Sequence, residues 1–240
     1  MKQRYLTSAE SDYETARRDL LERVSKEYVA ESPMCFSSRV SVQSLITRYE
    51  MYKLILNVPG DIIECGVYRG NSFTFLAHLS VILEPFSVNR RLIGFDTFEG
   101  FSSIDPSRDP SDVTEETFAD TSIEVLENAL SAIDRIRPVN KVERFKLVKG
   151  DITNSLPQFI AENPWMTCAL LILDTDLYAP TKIALEEVLP LMPKGGVIVF
   201  DEFNYQNYPG ETQALRDTFG INSMAVRKLP YESCTAYIVL

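Results

Sequence analysis

The sequence predicts an α/β protein built on a doubly wound, mostly parallel sheet. Between residues 61 and 201, short segments rich in Ile, Leu and Val alternate with segments of helical periodicity. This alternation is typical of βαβ units, in which the strands run parallel. The last two apolar segments, 224–229 and 235–240, are joined by only a few residues. Because so short a connection requires antiparallel pairing, the sheet should end in an antiparallel strand.

Two helices precede the sheet, at about residues 8–30 and 40–56, where apolar side chains recur at helical spacing. Pro59 and Gly60 then mark a turn into the first strand. Residues 104–122 carry two prolines and many acidic and hydroxyl side chains, so they should form a loop, either a mobile lid or a solvated surface insertion. The predicted domains are an N-terminal helical cap segment at 1–57 and a sheet domain at 58–240. Seven strands are expected, at 61–65, 91–96, 145–151, 171–173, 195–200, 224–229 and 235–240, with helices at 72–83, 124–136, 181–192 and 211–219.

The composition limits the partners. With 34 acidic against 24 basic residues and a net charge of −10, the chain lacks the clustered Lys and Arg that nucleic-acid binding requires, and a small-molecule substrate is favoured. No apolar run approaches the roughly 20 residues that a bilayer span requires, and the N-terminus lacks the apolar core of a signal peptide. The four scattered cysteines favour buried free thiols. We expect a cytoplasmic homo-oligomer, such as a dimer, with no nucleic-acid or membrane partner.

Carboxylates follow two of the predicted strands. Asp174 and Asp176 come after the strand at 171–173, and Asp201 and Glu202 come after the next strand. A helix connects these strands, and a right-handed crossover leaves both acidic ends at one edge of the sheet. Like charges at one place are unfavourable unless a cation lies between them. A hard divalent metal with oxygen ligands is therefore expected.

The turn after the first strand is a candidate cofactor site. Residues 64–70 lie where a doubly wound sheet binds its nucleotide, although the segment alone is also compatible with an ordinary strand–turn–helix corner. The segment lacks the glycine fingerprint of dinucleotide sites and the Gly-Lys-Ser/Thr of a phosphate loop, which disfavours NAD and ATP. Asp96 ends the next strand, where a carboxylate can accept hydrogen bonds from both ribose hydroxyls. Asp151 ends the third strand, where it would either meet an adenine amino group or cap a helix.

Five motifs carry a resemblance to a known family: VPGDIIECGVYRG at 58–70, DTFEGF at 96–101, SLP at 155–157, LDTDLY at 173–178 and GGVIVFD at 195–201. With them the chain resembles the class I S-adenosylmethionine-dependent methyltransferases, and specifically the macrocin O-methyltransferase family, which methylates sugar hydroxyls in antibiotic biosynthesis. The resemblance implies a Rossmann-like fold and an enzyme that uses S-adenosylmethionine and Mg²⁺. Residues 64–70 would lie near the methionine part of the cofactor and Asp96 near its ribose. Glu202 stands where the family usually has Asp, and Asp151 stands where relatives tend to carry an aromatic residue, so the adenine contact is inferred from position alone. The residues expected at the cofactor are Glu64, Gly66, Tyr68, Gly70, Ser72, Asp96 and Asp151, and those expected at the metal are Asp174, Asp201 and Glu202.

The predicted reaction is methyl transfer from S-adenosylmethionine to a hydroxyl of a deoxysugar, in a nucleotide sugar or a glycosylated natural product. The sulfonium methyl group is already activated, so the enzyme must align the acceptor oxygen and remove its proton. Asp174 and Asp176 are the candidate general bases, whereas the single histidine, His78, lies mid-helix and is expected to be structural. Three alternatives stay open: a catechol-like phenol O-methyltransferase, a non-catalytic S-adenosylmethionine-binding module, and an NAD-dependent nucleotide-sugar enzyme, which the missing fingerprint disfavours.

Overall fold

The computed structural model describes residues 7–240. They belong to two units, the first ending at Ile46 and the second being Thr47–Leu240. The boundary lies inside helix α3 (Arg39–Leu54), whereas the sequence analysis placed it after residue 57. The second half of α3 belongs to the larger unit because it buries Met51 in the core of that unit. The role of the first unit as a cap stays a prediction.

The first unit contains two helices where the sequence analysis predicted one. Helix α1 (Ser8–Arg23) ends, and a separate helix α2 (Lys26–Glu31) follows with Ser25 as its N-cap. The Ser25 hydroxyl accepts a hydrogen bond from the Tyr28 amide at 3.1 Å. Because a serine at this position offers a cap in place of a continuing helix, the predicted helix at 8–30 is interrupted. A short 3₁₀ helix, Pro33–Phe36, then leads to α3.

The second unit is one sheet with helices packed on both faces. One apolar cluster includes Leu76 and Leu130 from helices on the first face, and the other includes Phe159 and Leu185 from helices on the second. No described helix has the length and apolarity to cross a membrane. The described strands are β1 (Asp61–Cys65), β2 (Leu92–Asp96), β3 (Phe145–Lys149), β4 (Cys168–Leu173), β5 (Val197–Phe200) and β6 (Ala236–Val239). The remaining α-helices are α4 (Asn71–Leu83), α5 (Ile123–Arg135), α6 (Ile152–Glu162), α7 (Tyr178–Val188) and α8 (Gly210–Thr218), and a 3₁₀ helix, Leu189–Leu191, follows α7.

The strand order is β3-β2-β1-β4-β5-β6, with β1 to β5 parallel and β6 antiparallel to β5. The predicted doubly wound α/β class is thereby confirmed. The order reverses between β1 and β4, which is where such sheets bind ligands. Cys65 of β1 is aligned with Leu173 of β4, which is in turn aligned with Phe200 of β5. The residues that follow these strands, including Asp174 and Asp201, therefore leave the sheet side by side at its carboxyl edge.

The predicted count of seven strands was wrong, since the described residues form six. Instead of a strand at 224–229, Arg227 makes a single antiparallel bridge with Tyr237, with both N–H···O distances at 2.8 Å. Turn residues lie on one side of this bridge, and Pro230, which has no N–H to donate, lies on the other, so the ladder does not extend. Helix α6 was given no bounds in the sequence analysis, and its interior Pro157 explains why its pattern was not recognised.

Candidate active site

The turn after β1 passes directly against the end of β4. Gly66 has φ +90°, and a Cβ at this position would lie 2.0 Å from the backbone oxygen of Asp174. The amide of Asp174 donates to the carbonyl of Cys65 at 2.9 Å. Only glycine permits this approach and this backbone conformation. The predicted cofactor turn and the first predicted acidic residue are therefore immediate neighbours.

Asp96, at the end of β2, fixes the same turn. Its Oδ2 accepts hydrogen bonds from the amides of Val67 and Tyr68, both at 2.7 Å, and its Oδ1 accepts from the amide of Phe98 at 2.7 Å. Hydrogen bonds from backbone amides to a carboxylate are charge-assisted and strong. Together they hold Tyr68 at φ +51°. The sequence analysis missed this anchoring role, and the expected contact between Asp96 and a ribose stays a prediction.

Helix α4 begins at the end of the turn. Gly70 is its N-cap, with φ +77°, and a Cβ there would lie 2.2 Å from Leu126 Cδ2 of α5. The α4 amides nearest to Gly70 point out of the N-terminal end of the helix, where negative charge is favoured. With the turn held close to β4 and fixed by Asp96, this arrangement fits a nucleoside cofactor at the point of strand reversal.

The loop at 104–122 is attached to the site at two places. Asp109 Oδ1 accepts a hydrogen bond from the amide of Tyr178 at 2.8 Å, at the start of α7. Near the other end of the loop, the Tyr68 hydroxyl donates to Asp120 at 2.6 Å, and Arg69 forms an ion pair with the same carboxylate. The predicted loop is confirmed, since these residues form neither helix nor strand. Its opening and closing as a lid stay a prediction.

Arg48 of α3 lies between the acidic ends of β4 and β5. Its Nη2 is 3.3 Å from Asp174 Oδ2 and 3.2 Å from Asp201 Oδ1, and its Nε donates to Ser72 Oγ at 2.8 Å. The side chain of Arg48 is 1% exposed. The sequence analysis missed Arg48, because an arginine within an amphipathic helix usually faces solvent. The structure therefore brings Asp174 and Asp201 to one cationic atom.

Glu211 of α8 holds the backbone at the other two acidic positions. Its Oε1 accepts a hydrogen bond from the Asp176 amide at 3.4 Å, and its Oε2 accepts from the Glu202 amide at 3.0 Å. Complete burial raises the pKa of Glu211 well above its usual range. Gly210 brings α8 close, because a Cβ there would lie 2.5 Å from the backbone of Leu177. The Pro-Gly pair before Glu211 was the one sequence signal for this close approach.

Glu64 is fully buried in β1. This burial raises the pKa of its carboxyl to about 8, although the neighbouring Arg48 and Ser72 act in the opposite direction. A neutral Glu64 at pH 7 would add no negative charge beside Asp174 and Asp201. Its predicted contact with the cofactor stays a prediction.

Asp151 is the N-cap of α6. Its Oδ1 accepts a hydrogen bond from the amide of Thr153 at 2.8 Å, and its Oδ2 accepts from Ser103 Oγ at 2.6 Å. The helix-cap alternative is therefore confirmed, and the contact with adenine stays a prediction. His78 is an exposed residue in the middle of α4.

The described residues do not form the predicted three-ligand metal site. Asp174 and Asp201 offer oxygen donors, which is the chemistry that Mg²⁺ prefers. However, Arg48 lies at the point on which both carboxylates converge, and Glu202 is only 1% exposed. Within residues 7–240, no group of three or more His, Cys, Asp and Glu side chains is arranged to hold a metal ion. The arrangement thus does not fit a metal held jointly by Asp174, Asp201 and Glu202.

Comparison with known families shows where this chain belongs. The model of the macrocin O-methyltransferase (TylF) family matches residues 9–227. The chain belongs to the macrocin O-methyltransferase family.

Solved structures support the same fold for this family member. The calicheamicin methyltransferase CalS11 superposes with a TM-score of 0.91 at 31% sequence identity, covering 98% of this chain and 94% of that chain. An apo structure of CalS11, described as a TDP-rhamnose 3'-O-methyltransferase of calicheamicin biosynthesis, gives a TM-score of 0.83 at 29% identity, covering 98% of this chain and 96% of that chain. The prediction of a Rossmann-like methyltransferase fold is confirmed.

Curated relatives match a smaller part of this family member. One is the 8-demethyl-8-(2,3-dimethoxy-alpha-L-rhamnosyl)-tetracenomycin-C 4'-O-methyltransferase of Streptomyces olivaceus, 27% identical over 69% of this chain and 61% of the relative. Another is the mycinamicin III 3''-O-methyltransferase of Micromonospora griseorubida, 26% identical over 70% of this chain and 65% of the relative. The chain spans about three fifths of the length of the curated relatives that it matches.

Proposed function

We propose that this protein is an S-adenosylmethionine-dependent O-methyltransferase whose acceptor is a hydroxyl of a deoxysugar attached to a nucleotide. The observation that carries the proposal is the similarity to CalS11 over 98% of the chain, because one CalS11 structure is described as a TDP-rhamnose 3'-O-methyltransferase. The curated relatives are named for rhamnosyl-tetracenomycin and mycinamicin III, which are glycosylated natural products. A glycoside acceptor is therefore the second candidate.

The geometry suits methyl transfer to an oxygen. When bound, S-adenosylmethionine supplies a methyl group that is already activated on its sulfonium. The turn carrying Gly66 and anchored by Asp96 would hold the cofactor against the end of β4, where Asp174 lies. Asp174 and Asp176 are the proposed general bases. Once the acceptor oxygen is aligned, either carboxylate would act by removing the proton of the acceptor hydroxyl. The rings of Tyr205 and Tyr208, stacked with centroids 6.3 Å apart, follow β5 and would suit a sugar face.

Dependence on Mg²⁺ remains a prediction of the sequence. The oxygen chemistry of Asp174 and Asp201 supports it, and the position of Arg48 opposes it, so we assign no step to a metal. Assays with added Mg²⁺ and with EDTA decide the point: loss of turnover in EDTA that Mg²⁺ restores would establish the dependence. Equal turnover in both would remove the metal from the proposal.

The first experiment is a binding measurement followed by an acceptor assay. Calorimetric titration should show binding of S-adenosylhomocysteine and not of NAD. Mass spectrometry should then detect one added methyl group on TDP-rhamnose, with a rhamnosylated aglycone and a catechol as competing acceptors. Methylation of the catechol alone would replace the sugar assignment with that of a phenol methyltransferase. Cofactor binding with no methylated acceptor in a broad screen would favour a non-catalytic binding module.

Substitution of the acidic residues tests the same site. Asp174→Asn and Asp201→Asn should reduce turnover by a factor of about 100 or more while S-adenosylhomocysteine still binds, since acceptor chemistry and not cofactor binding would be lost. Glu127→Gln, an exposed residue of α5, is the matched control and should behave as wild type. The assignment would be contradicted if both aspartate variants bound the cofactor more weakly and still turned over the acceptor at the wild-type rate when the cofactor is saturating. The cytoplasmic location and the dimer stay predictions.

A further inference from the structure

Arg48 is, with Arg144, one of the two largest fully buried side chains among the described residues, and it carries a full charge. Burying a charge is costly unless it is paired and hydrogen-bonded, and apolar side chains of similar volume often stabilise a core as well or better. Its neighbour in the same helix, Met51, is 1% exposed and packs in the apolar core. A long apolar residue would therefore suit position 48 if packing alone decided it. The charge requires an explanation in its contacts.

The contacts of Arg48 join three elements at the carboxyl edge of the sheet. Its Nη2 approaches Asp174 after β4 and Asp201 after β5, at 3.3 and 3.2 Å, and its Nε donates to Ser72 in the first turn of α4 at 2.8 Å. The two carboxylates come from neighbouring strands and would repel each other without a cation. The Ser72 contact connects this ion pair to the end of the cofactor turn.

Arg144, which is as deeply buried as Arg48, makes contacts of a different kind. Its guanidinium donates to the carbonyls of Glu84 and Arg90. These contacts satisfy backbone oxygens, which is a structural role. Among the described residues, Arg48 instead donates its hydrogen bonds to side chains of the candidate active site, namely Ser72, Asp174 and Asp201.

We propose that Arg48 is a positioning residue for methyl transfer: it holds the carboxylates of Asp174 and Asp201 in one arrangement and supplies their counter-charge from within the chain. The inference rests on the proposed function, since positioning has meaning only for a reaction at this edge. Without Arg48 the two carboxylates turn away from each other, and the acceptor hydroxyl loses its alignment. Misplacement of reacting groups by about 1 Å can cost a factor of about 100 in rate. The cofactor turn keeps its anchor at Asp96, so cofactor affinity should change little.

The test compares Arg48→Gln and Arg48→Lys with Arg144→Gln, which removes an equally buried arginine with backbone contacts. For each protein, kcat and KM for the acceptor, the Kd for S-adenosylhomocysteine by calorimetry and the folded fraction by denaturation are measured. The kcat is expressed per folded molecule. The expected result for Arg48→Gln is a kcat lowered by a factor of about 100, with Kd changed by less than about fivefold. Arg48→Lys, which keeps the charge, should recover part of the lost kcat.

Three outcomes overturn the proposal. A kcat per folded molecule of Arg48→Gln equal to that of wild type would show a structural role only. Equal losses of kcat in Arg48→Gln and Arg144→Gln would show a general effect of buried-arginine removal. A loss of S-adenosylhomocysteine affinity that accounts for the whole loss of activity would assign Arg48 to the cofactor instead. If Arg48→Gln does not fold, Arg48→Lys decides. A wild-type kcat refutes positioning by the guanidinium, whereas a selective loss of kcat supports it.

Failure of the proposed function is recognised separately. If wild-type protein methylates no sugar in the acceptor assay, the proposed function fails before any variant is made. If wild type is active and the variants are not selectively impaired, only the role of Arg48 fails. Running the comparison both in Mg²⁺ and in EDTA separates any loss caused by the substitution from one caused by removal of metal.

Discussion

Replacing Glu64 by Gln should flatten the dependence of stability on pH. Burial raises the pKa of Glu64 to about 8 from its ordinary 4.5, so the folded state retains a proton that the unfolded state has released. Between these two values the folded state binds more protons, and stability therefore falls as pH rises. Below about pH 4.5 both states are protonated, and above about pH 8 both are charged, so the slope is confined to this window.

The magnitude follows from the two pKa values. Each factor of ten in proton affinity is worth about 1.4 kcal/mol, so the difference between 4.5 and about 8 corresponds to at most about 5 kcal/mol. Gln has the shape of the neutral acid and no charge to bury. Glu64→Gln should therefore match wild type near pH 5 and exceed its free energy of unfolding by up to about 5 kcal/mol at about pH 9.

Urea denaturation at a series of pH values measures this difference. Subtracting the variant curve from the wild-type curve removes the titration of all other groups. The exposed Glu127→Gln serves as control and should give a difference close to zero at every pH. Parallel curves for wild type and Glu64→Gln from about pH 5 to 9 would refute the argument, because they would mean that Glu64 titrates alike in the folded and unfolded states.

Three more substitutions examine the turn and its surroundings. Gly66→Ala should destabilise the fold by about 3 kcal/mol or more and abolish S-adenosylhomocysteine binding, because its Cβ would overlap the Asp174 carbonyl. Gly220→Ala is the matched control in denaturation and calorimetry, because Gly220 has a similar φ of +78° and its Cβ would make only an ordinary contact, 3.6 Å from Asn222 Oδ1. Asp96→Asn should weaken S-adenosylhomocysteine binding at least about tenfold, since an amide group cannot accept from all of the backbone donors that the carboxylate satisfies; an unchanged Kd would contradict the anchoring role. Glu211→Ala should lower kcat more than it changes that Kd, because it removes the acceptor shared by two backbone amides beside the acidic residues; a normal kcat per folded molecule would show that other contacts hold those segments.

The fold was predictable where burial dictates composition. Strands of a parallel sheet are covered on both faces, so β4, Cys168–Leu173, is entirely apolar and stands out from its surroundings. The prediction of a strand at 224–229 was wrong because strand pairing needs donors on both sides of the Arg227–Tyr237 bridge, and Pro230 has none to offer. The apolar pattern of the segment does not reveal this. The break at Ser25 has the same origin, since a serine is acceptable both inside a helix and as its cap.

The site was predictable in one part only. Chain crossover and strand register are general properties of βαβ units, and from them the adjacency of Asp174 and Asp201 could be expected. The position of Arg48 could not, because it depends on how a helix more than a hundred residues earlier in the chain packs against the sheet. Glu211 was missed for a similar reason: the burial of an acidic residue depends on close packing by Gly210, and periodicity does not report it.

Carboxylates that gather at one edge of the sheet require a nearby positive charge, and the protein itself supplies part of that charge. Arg48 places one positive charge between Asp174 and Asp201, and burial favours the neutral forms of Glu64 and Glu211, whose pKa values are both raised. The edge is therefore less negative than its count of carboxyl groups indicates. The affinity of this edge for a divalent metal ion depends on the remaining negative charge and on oxygen ligands that can be brought around one point. If the enzyme requires Mg²⁺, the substrate hydroxyls or a change in the Arg48 contacts would have to complete the set of metal ligands. The assay in EDTA tests directly whether Mg²⁺ is required.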